Sequence, residues 1–197
     1  MPVISRGSVY VLLATLVLGA GCAKGPPPDF YVLDATTSES IVGGERGIAV
    51  GVGPIELPAH LNRSQIVTRA TDYQLDLSES HQWAEPLKDS VSRVIAINLS
   101  NILESNRVFV IPRRQKVAVE FQVSIDIGRF DGRLGEVATL GARWTLYGSD
   151  TREPLFSKVT IVNESTEDGS YNALVAASSR ALAVLSMEIA EAINTRR

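Results

Sequence analysis

Reactive side chains are scarce in this sequence. Its 197 residues include one cysteine and two histidines, His60 and His81, which lie in different segments. A single cysteine cannot close an intramolecular disulfide, so the core must be stabilised by burial alone. Two histidines without a second cysteine do not make a tetrahedral zinc set. No G-x-S-x-G elbow is present, and Gly51-Val52-Gly53-Pro54-Ile55-Glu56 lacks the third glycine of a dinucleotide loop. That segment reads instead as a strand whose small residues admit another backbone. Glu85 and Asp89, four apart, read as a solvated helix face. No constellation suited to catalysis emerges, and no metal or cofactor site is expected. There is also no surplus of positive charge, with 19 basic against 22 acidic residues, so nothing attracts nucleic acid. Internal repeats, charge blocks and low-complexity segments are missing too.

A membrane-spanning run is likewise absent at the N-terminus. Residues 9–23 form an uncharged, mostly apolar stretch of 15, short of the roughly 20 residues needed to cross hydrocarbon. Arg6 precedes it, and Leu18-Gly19-Ala20-Gly21-Cys22 closes it. A basic start, a short apolar core and small residues before the cut describe a secretion signal over residues 1–21. The closing residues resemble the lipobox of bacterial lipoproteins, which implies a diacylglycerol and acyl lipid on Cys22 as the only non-protein group. The lipobox departs from the usual pattern at Gly19, where leucine is usual. The sole cysteine then has a function, and Ala23, where an aspartate would favour inner-membrane retention, points to the outer membrane.

Removal of the signal leaves 176 residues, one domain's worth, carrying 18 basic and 22 acidic side chains. Residues 22–29 form a lipidated, proline-rich linker, stiffened by Pro26, Pro27 and Pro28. Seven residues at full stretch reach only about 25 Å, so the domain of residues 30–197 is expected close to its membrane.

Within that domain, strands are expected at residues 30–33, 48–55, 66–69 and 73–77, the last two forming a hairpin around residues 70–72. Pro86 opens a helix, where proline is best tolerated, with Leu87, Val91, Val94, Ile95, Leu99, Ile102 and Leu103 on one face and an end near Ser105 and Asn106. Residues 108–111 read as a short buried strand. Residues 117–127 alternate, with Val117, Val119, Phe121, Val123, Ile125 and Ile127 on one side. Ala138, Leu140, Ala142, Trp144 and Leu146 do the same within residues 135–147, and residues 154–162 complete a meander. A last helix spans residues 170–194 with Tyr171, Leu174, Val175, Leu182, Leu185, Ile189 and Ile193 inward. The pattern is α+β, a largely antiparallel or mixed sheet with two main helices packed on it.

Two segments stand out by composition. Residues 54–69 contain Leu57, Pro58, Leu61, Asn62, Arg63, Gln65, Ile66, Val67 and Arg69, and residues 81–87 contain Trp83, Ala84, Glu85, Pro86 and Leu87. Charges such as Arg63, Arg69 and Glu85 among apolar neighbours are expected to be paired. An Arg–Glu pair and Trp83 would then lock a loop onto the core. Trp and Arg are also favoured at interfaces, so Pro58, Leu61, Arg63, Gln65, Arg69, Trp83, Glu85 and Pro86 are structural or partner-binding candidates.

In this spacing the segments resemble the signatures of the ABC-type transport auxiliary lipoprotein family, the PqiC-like lipoproteins, with His60 standing where tyrosine is usual. The resemblance implies an accessory subunit, not an enzyme. It would be anchored at the periplasmic face of the outer membrane, with an MCE-domain periplasm-spanning protein and an inner-membrane permease as partners. It would dock the MCE assembly for lipid transport and support membrane integrity, and it implies self-association. The rival expectation is a stand-alone lipid-binding carrier or a plug of an outer-membrane barrel, with an apolar cavity sized for an acyl chain.

Overall fold

The computed structural model describes residues 25–36, 47–112, 117–149 and 153–197. The secretion signal, Cys22 and the first residues of the linker lie outside them.

Alternation builds the larger sheet. Phe121, Val123, Ile125 and Ile127 are all buried along β6 (Phe121–Arg133). They pair antiparallel with the equally alternating β7 (Val137–Gly148), where Ala138, Leu140, Ala142, Trp144 and Leu146 are buried. β8 (Pro154–Ser165) completes the meander. On the other flank β2 (Val50–Glu56) runs parallel to both β6 and β5 (Val108–Val110), giving the order β5-β2-β6-β7-β8. The small residues of β2 are required there. A Cβ on Gly53, whose φ is +128°, would lie 2.2 Å from the carbonyl oxygen of Ile111, and one on Gly51 would meet Ile111 Cδ1 at 3.0 Å.

A second sheet stands beside it, where a single sheet was expected. β3 (Gln65–Thr71) and β4 (Gln74–Trp83) form the hairpin, and β1 (Asp29–Tyr31) adds to β4 in parallel, giving β1-β4-β3. Both sheets are mixed. β4 runs six residues beyond the expected end at Leu77, because His81, Gln82 and Trp83 pair with β1 and Gln82 also pairs with Gln65 of β3.

Helix α1 (Leu87–Ile102) follows Pro86, which sits at the flanking position, and buries Leu87, Val91, Val94, Ile95 and Leu99. It stops at Ile102, earlier than Ser105, where Glu104 turns to positive φ and the Ser105 hydroxyl donates to Ile48 O at 2.8 Å. Helix α2 (Tyr171–Asn194) starts at Ser170, whose hydroxyl accepts from Ala173 N–H at 3.1 Å, as a capping serine should. α2 is long and apolar enough to cross a membrane by composition, but 67% of its most apolar window is buried in the domain. It is the core helix, packed on α1 and on β6, β7 and β8.

Two expectations about strands change. Residues 108–111 form a partly exposed edge, since β5 has β2 on one side only, and Val110 is 38% exposed. Val117 and Val119 precede β6, which begins at Phe121 and continues six residues past Ile127. The continuation depends on an irregularity between Ile127 and Arg129. It moves the inward set from odd to even positions, so Phe130 and Gly132 pair with Leu140 and Ala138, and Asp131 comes to the opposite face.

Candidate functional site

The two unusual segments meet. Pro58 O accepts from the backbone N–H groups of Leu61 at 2.9 Å and Asn62 at 3.2 Å, and Leu61 is 1% exposed. This turn projects residues 62–64 at the start of β3. Trp83 N–H then donates to Ser64 O at 2.7 Å, joining the segments directly. Trp83 itself is 7% exposed and packs 6.5 Å, centroid to centroid, from Phe130 of β6. Asn62, Arg63 and Ser64 on one side, and Trp83, Ala84, Glu85, Pro86 and Leu87 on the other, line a cleft of about 400 Å³.

The strand next to the tether is built into this site. Tyr31 pairs with Trp83, and Ala84 N–H donates to Tyr31 O at 2.9 Å. Just beyond, Arg93 Nη2 donates to Leu33 O at 3.1 Å and to Glu85 Oε1 at 2.7 Å. Glu85 is held below the usual carboxylate range by its hydrogen bond with Arg93, then by that with Ser90. The acid of the second segment therefore does have an arginine, but it is Arg93 of α1 and not Arg63 or Arg69. An arginine two turns into a helix sits where solvated charge is the ordinary expectation.

Arg69 points elsewhere. Its Nε and Nη2 donate to the two oxygens of Asp131 at 3.2 and 2.7 Å, while Arg129 Nε adds a bond of 3.0 Å. The Asp131 side chain is 1% exposed. Burial opposes its ionisation, but the hydrogen bonds from Arg69 and Arg129 outweigh that and hold its carboxyl below the ordinary aspartate value. The same bond raises the Arg69 guanidinium. This ion cluster ties β3 of the small sheet to β6 of the large one. It also steadies the hairpin tip, where Arg69 Nη1 donates to Asp72 O at 2.9 Å and Arg133 pairs with Asp72 at 2.7 Å. Sequence reasoning missed Asp131; its signal was the break of parity after Gly128.

The remaining candidates divide the same way. Gln65 pairs with Gln82 across the hairpin, and Pro58 and Leu61 shape the turn. Arg63 is different. Its Nε is buried without a hydrogen-bond partner, and it makes no ion pair among the described residues. His81 lies outside the cleft, stacked on Tyr171 at 3.9 Å and hydrogen-bonded through Nδ1 to Tyr31 Oη at 2.8 Å. Among the described residues no group of three His, Cys, Asp or Glu side chains could hold a metal ion.

A five-stranded mixed sheet carrying two helices, with a three-stranded mixed sheet beside it, defines a fold found in solved structures. An uncharacterized protein matches with a TM-score of 0.69 at 18% identity, covering 85% of this chain and 99% of its own. A Xanthomonas campestris protein assigned to a family of unknown function, DUF330, matches with a TM-score of 0.64 at 18% identity, covering 82% and 92%. No curated protein matches the sequence. The family model for the ABC-type transport auxiliary lipoprotein component spans residues 31–190, so the chain belongs to that family. It is thus an accessory lipoprotein of an ABC-type transport system, held at a membrane of the cell envelope.

Proposed function

We propose that this lipoprotein is the outer-membrane-side subunit of an envelope-spanning lipid transport system, where it docks an MCE-domain assembly and so supports membrane integrity. Family membership supplies the accessory role. The observation that carries the finer reading is the construction of the cleft on the tether strand. Tyr31, nine residues after Cys22, is paired to Trp83, and Leu33 is bonded to Arg93. With the linker spanning about 25 Å at most, whatever binds at residues 62–64 and 83–87 is bound beside the membrane that holds the lipid. An inner-membrane permease completes the system, and self-association would multiply the docking face.

A stand-alone carrier is less well supported. The larger groove, about 770 Å³, lies between residues 32–36 and the start of α2, and Asp34, Glu167, Asp168 and Arg180 line it. Charged walls do not suit an acyl chain.

In Cys22→Ala, palmitate labelling should disappear and the protein should leave the outer-membrane fraction. The cells should become as sensitive to detergent as cells lacking the chain. Two or three acyl chains each contribute about 0.8 kcal/mol per buried methylene, so their loss removes the anchor outright. Undiminished labelling, or full barrier function from the released protein, would refute the anchored role.

A further inference from the structure

Arg63 is the one motif charge that the fold does not use. Arg69 is consumed by Asp131, and Glu85 by Arg93. Arg63 lines the cleft with a buried, unpartnered Nε. The guanidinium that carries it has no counter-ion among the described residues, so the cleft offers its charge to a group from outside. Glu85, the one acid among the described lining residues, is bonded to Arg93 at 2.7 Å and does not supply the counter-ion. Pro86 and Leu87 at the start of α1 also line the cleft, and Asp89 in the first turn of that helix offsets its dipole, so the guanidinium is the positive group the cleft offers. The cleft therefore suits an anionic group.

The shape narrows the anion. Of the apolar lining residues, Trp83 and Leu87 are buried, which leaves Ala84 and Pro86 as the open apolar surface. About 400 Å³ accommodates a side chain or two, not a pair of acyl chains. A planar carboxylate matches the guanidinium fork.

We propose that the Arg63 cleft is the receptor for a partner protein's carboxylate, an Asp or Glu whose neighbouring apolar residue rests on Ala84 and Pro86. This deepens the docking role and rests on the reading of the chain as an accessory subunit.

The test places a photoreactive benzoylphenylalanine at Asn62, exposed on the cleft rim, in the full lipidated chain in living cells. The adduct should map to an acid-bearing peptide of one envelope protein. Arg63→Glu should lower its yield at least tenfold, the loss expected for a charge-assisted hydrogen bond of about 1.5 kcal/mol or more. Changing the partner's acid to lysine should then restore it. Arg63→Met should lower the yield similarly while unfolding no earlier than the parent protein, since it removes an unpaired donor. An adduct with phospholipid alone, or a peptide adduct indifferent to Arg63→Glu, would overturn the inference. If the acid belongs to a protein without an MCE domain, the carboxylate receptor stands and the docking reading falls. If an MCE-domain protein stays bound to Arg63→Glu undiminished, the reverse holds.

Discussion

Arg69→Met should destabilise the domain by about 3–5 kcal/mol, the cost of stripping one partner from a buried ion pair. Asp131→Asn should cost less, about 1–3 kcal/mol. The ordering follows from where the cluster is buried. The Asp131 side chain is 1% exposed, whereas Arg69 and Arg129 are 18% and 42% exposed. Without Arg69, a buried carboxylate keeps only Arg129. Without the charge on Asp131, both arginines turn towards water, and the asparagine still accepts one bond. Urea unfolding at neutral pH measures both costs. The acid dependence checks the sign. Because the folded-state pKa of Asp131 is depressed, its contribution is complete above the ordinary aspartate value and is lost as pH falls through the folded value. The gap between parent and Asp131→Asn should therefore be constant from about pH 5 to 8 and shrink below about pH 4. A constant gap into strong acid would mean that Asp131 is not ionised in the fold.

Trp83→Ala should cost about 3–5 kcal/mol, as expected for a large buried aromatic. The residue closes β4, pairs with Tyr31, donates its backbone N–H to Ser64 and packs on Phe130. Trp83→Phe should retain most of that stability. Chemical denaturation of the two variants decides whether Trp83 is a core residue or a surface hot spot. A loss under about 1 kcal/mol for the alanine variant would make it an interface residue, because an exposed truncation leaves no cavity. The signature thus has two parts. Trp83, Leu61 and Arg69 hold the small sheet on the large one, and Arg63 is left for a partner.

The elements that periodicity controls were legible. Ala138 to Leu146 in β7, and the buried faces of α1 and α2, lie where alternation and helical spacing put them. The close backbone approach at Gly53 followed from its small neighbours in the same way. Pairing was not legible. Nothing local says that β1 adds in parallel to β4, so the second sheet was read as part of one. The ion partners were hidden for a similar reason. Asp131 has the odd parity of the inward set Phe121 to Ile127, and only the irregularity after Ile127 moves it to the opposite face, against Arg69. Arg93 lies in a helix whose polar face gives no hint that one arginine reaches back to Leu33 O and Glu85. The segments bearing the site were visible; their division of labour required the contacts.

The docking role is tested most directly by purifying the intact, lipidated chain from detergent-solubilised envelopes and identifying by mass spectrometry what comes with it. An MCE-domain protein should be recovered with the parent chain and lost from Arg69→Met, whose small sheet no longer holds the cleft in place. Quantitative recovery of the lipoprotein with no MCE-domain protein, carrying one tightly bound lipid per chain instead, would contradict the account and establish a carrier.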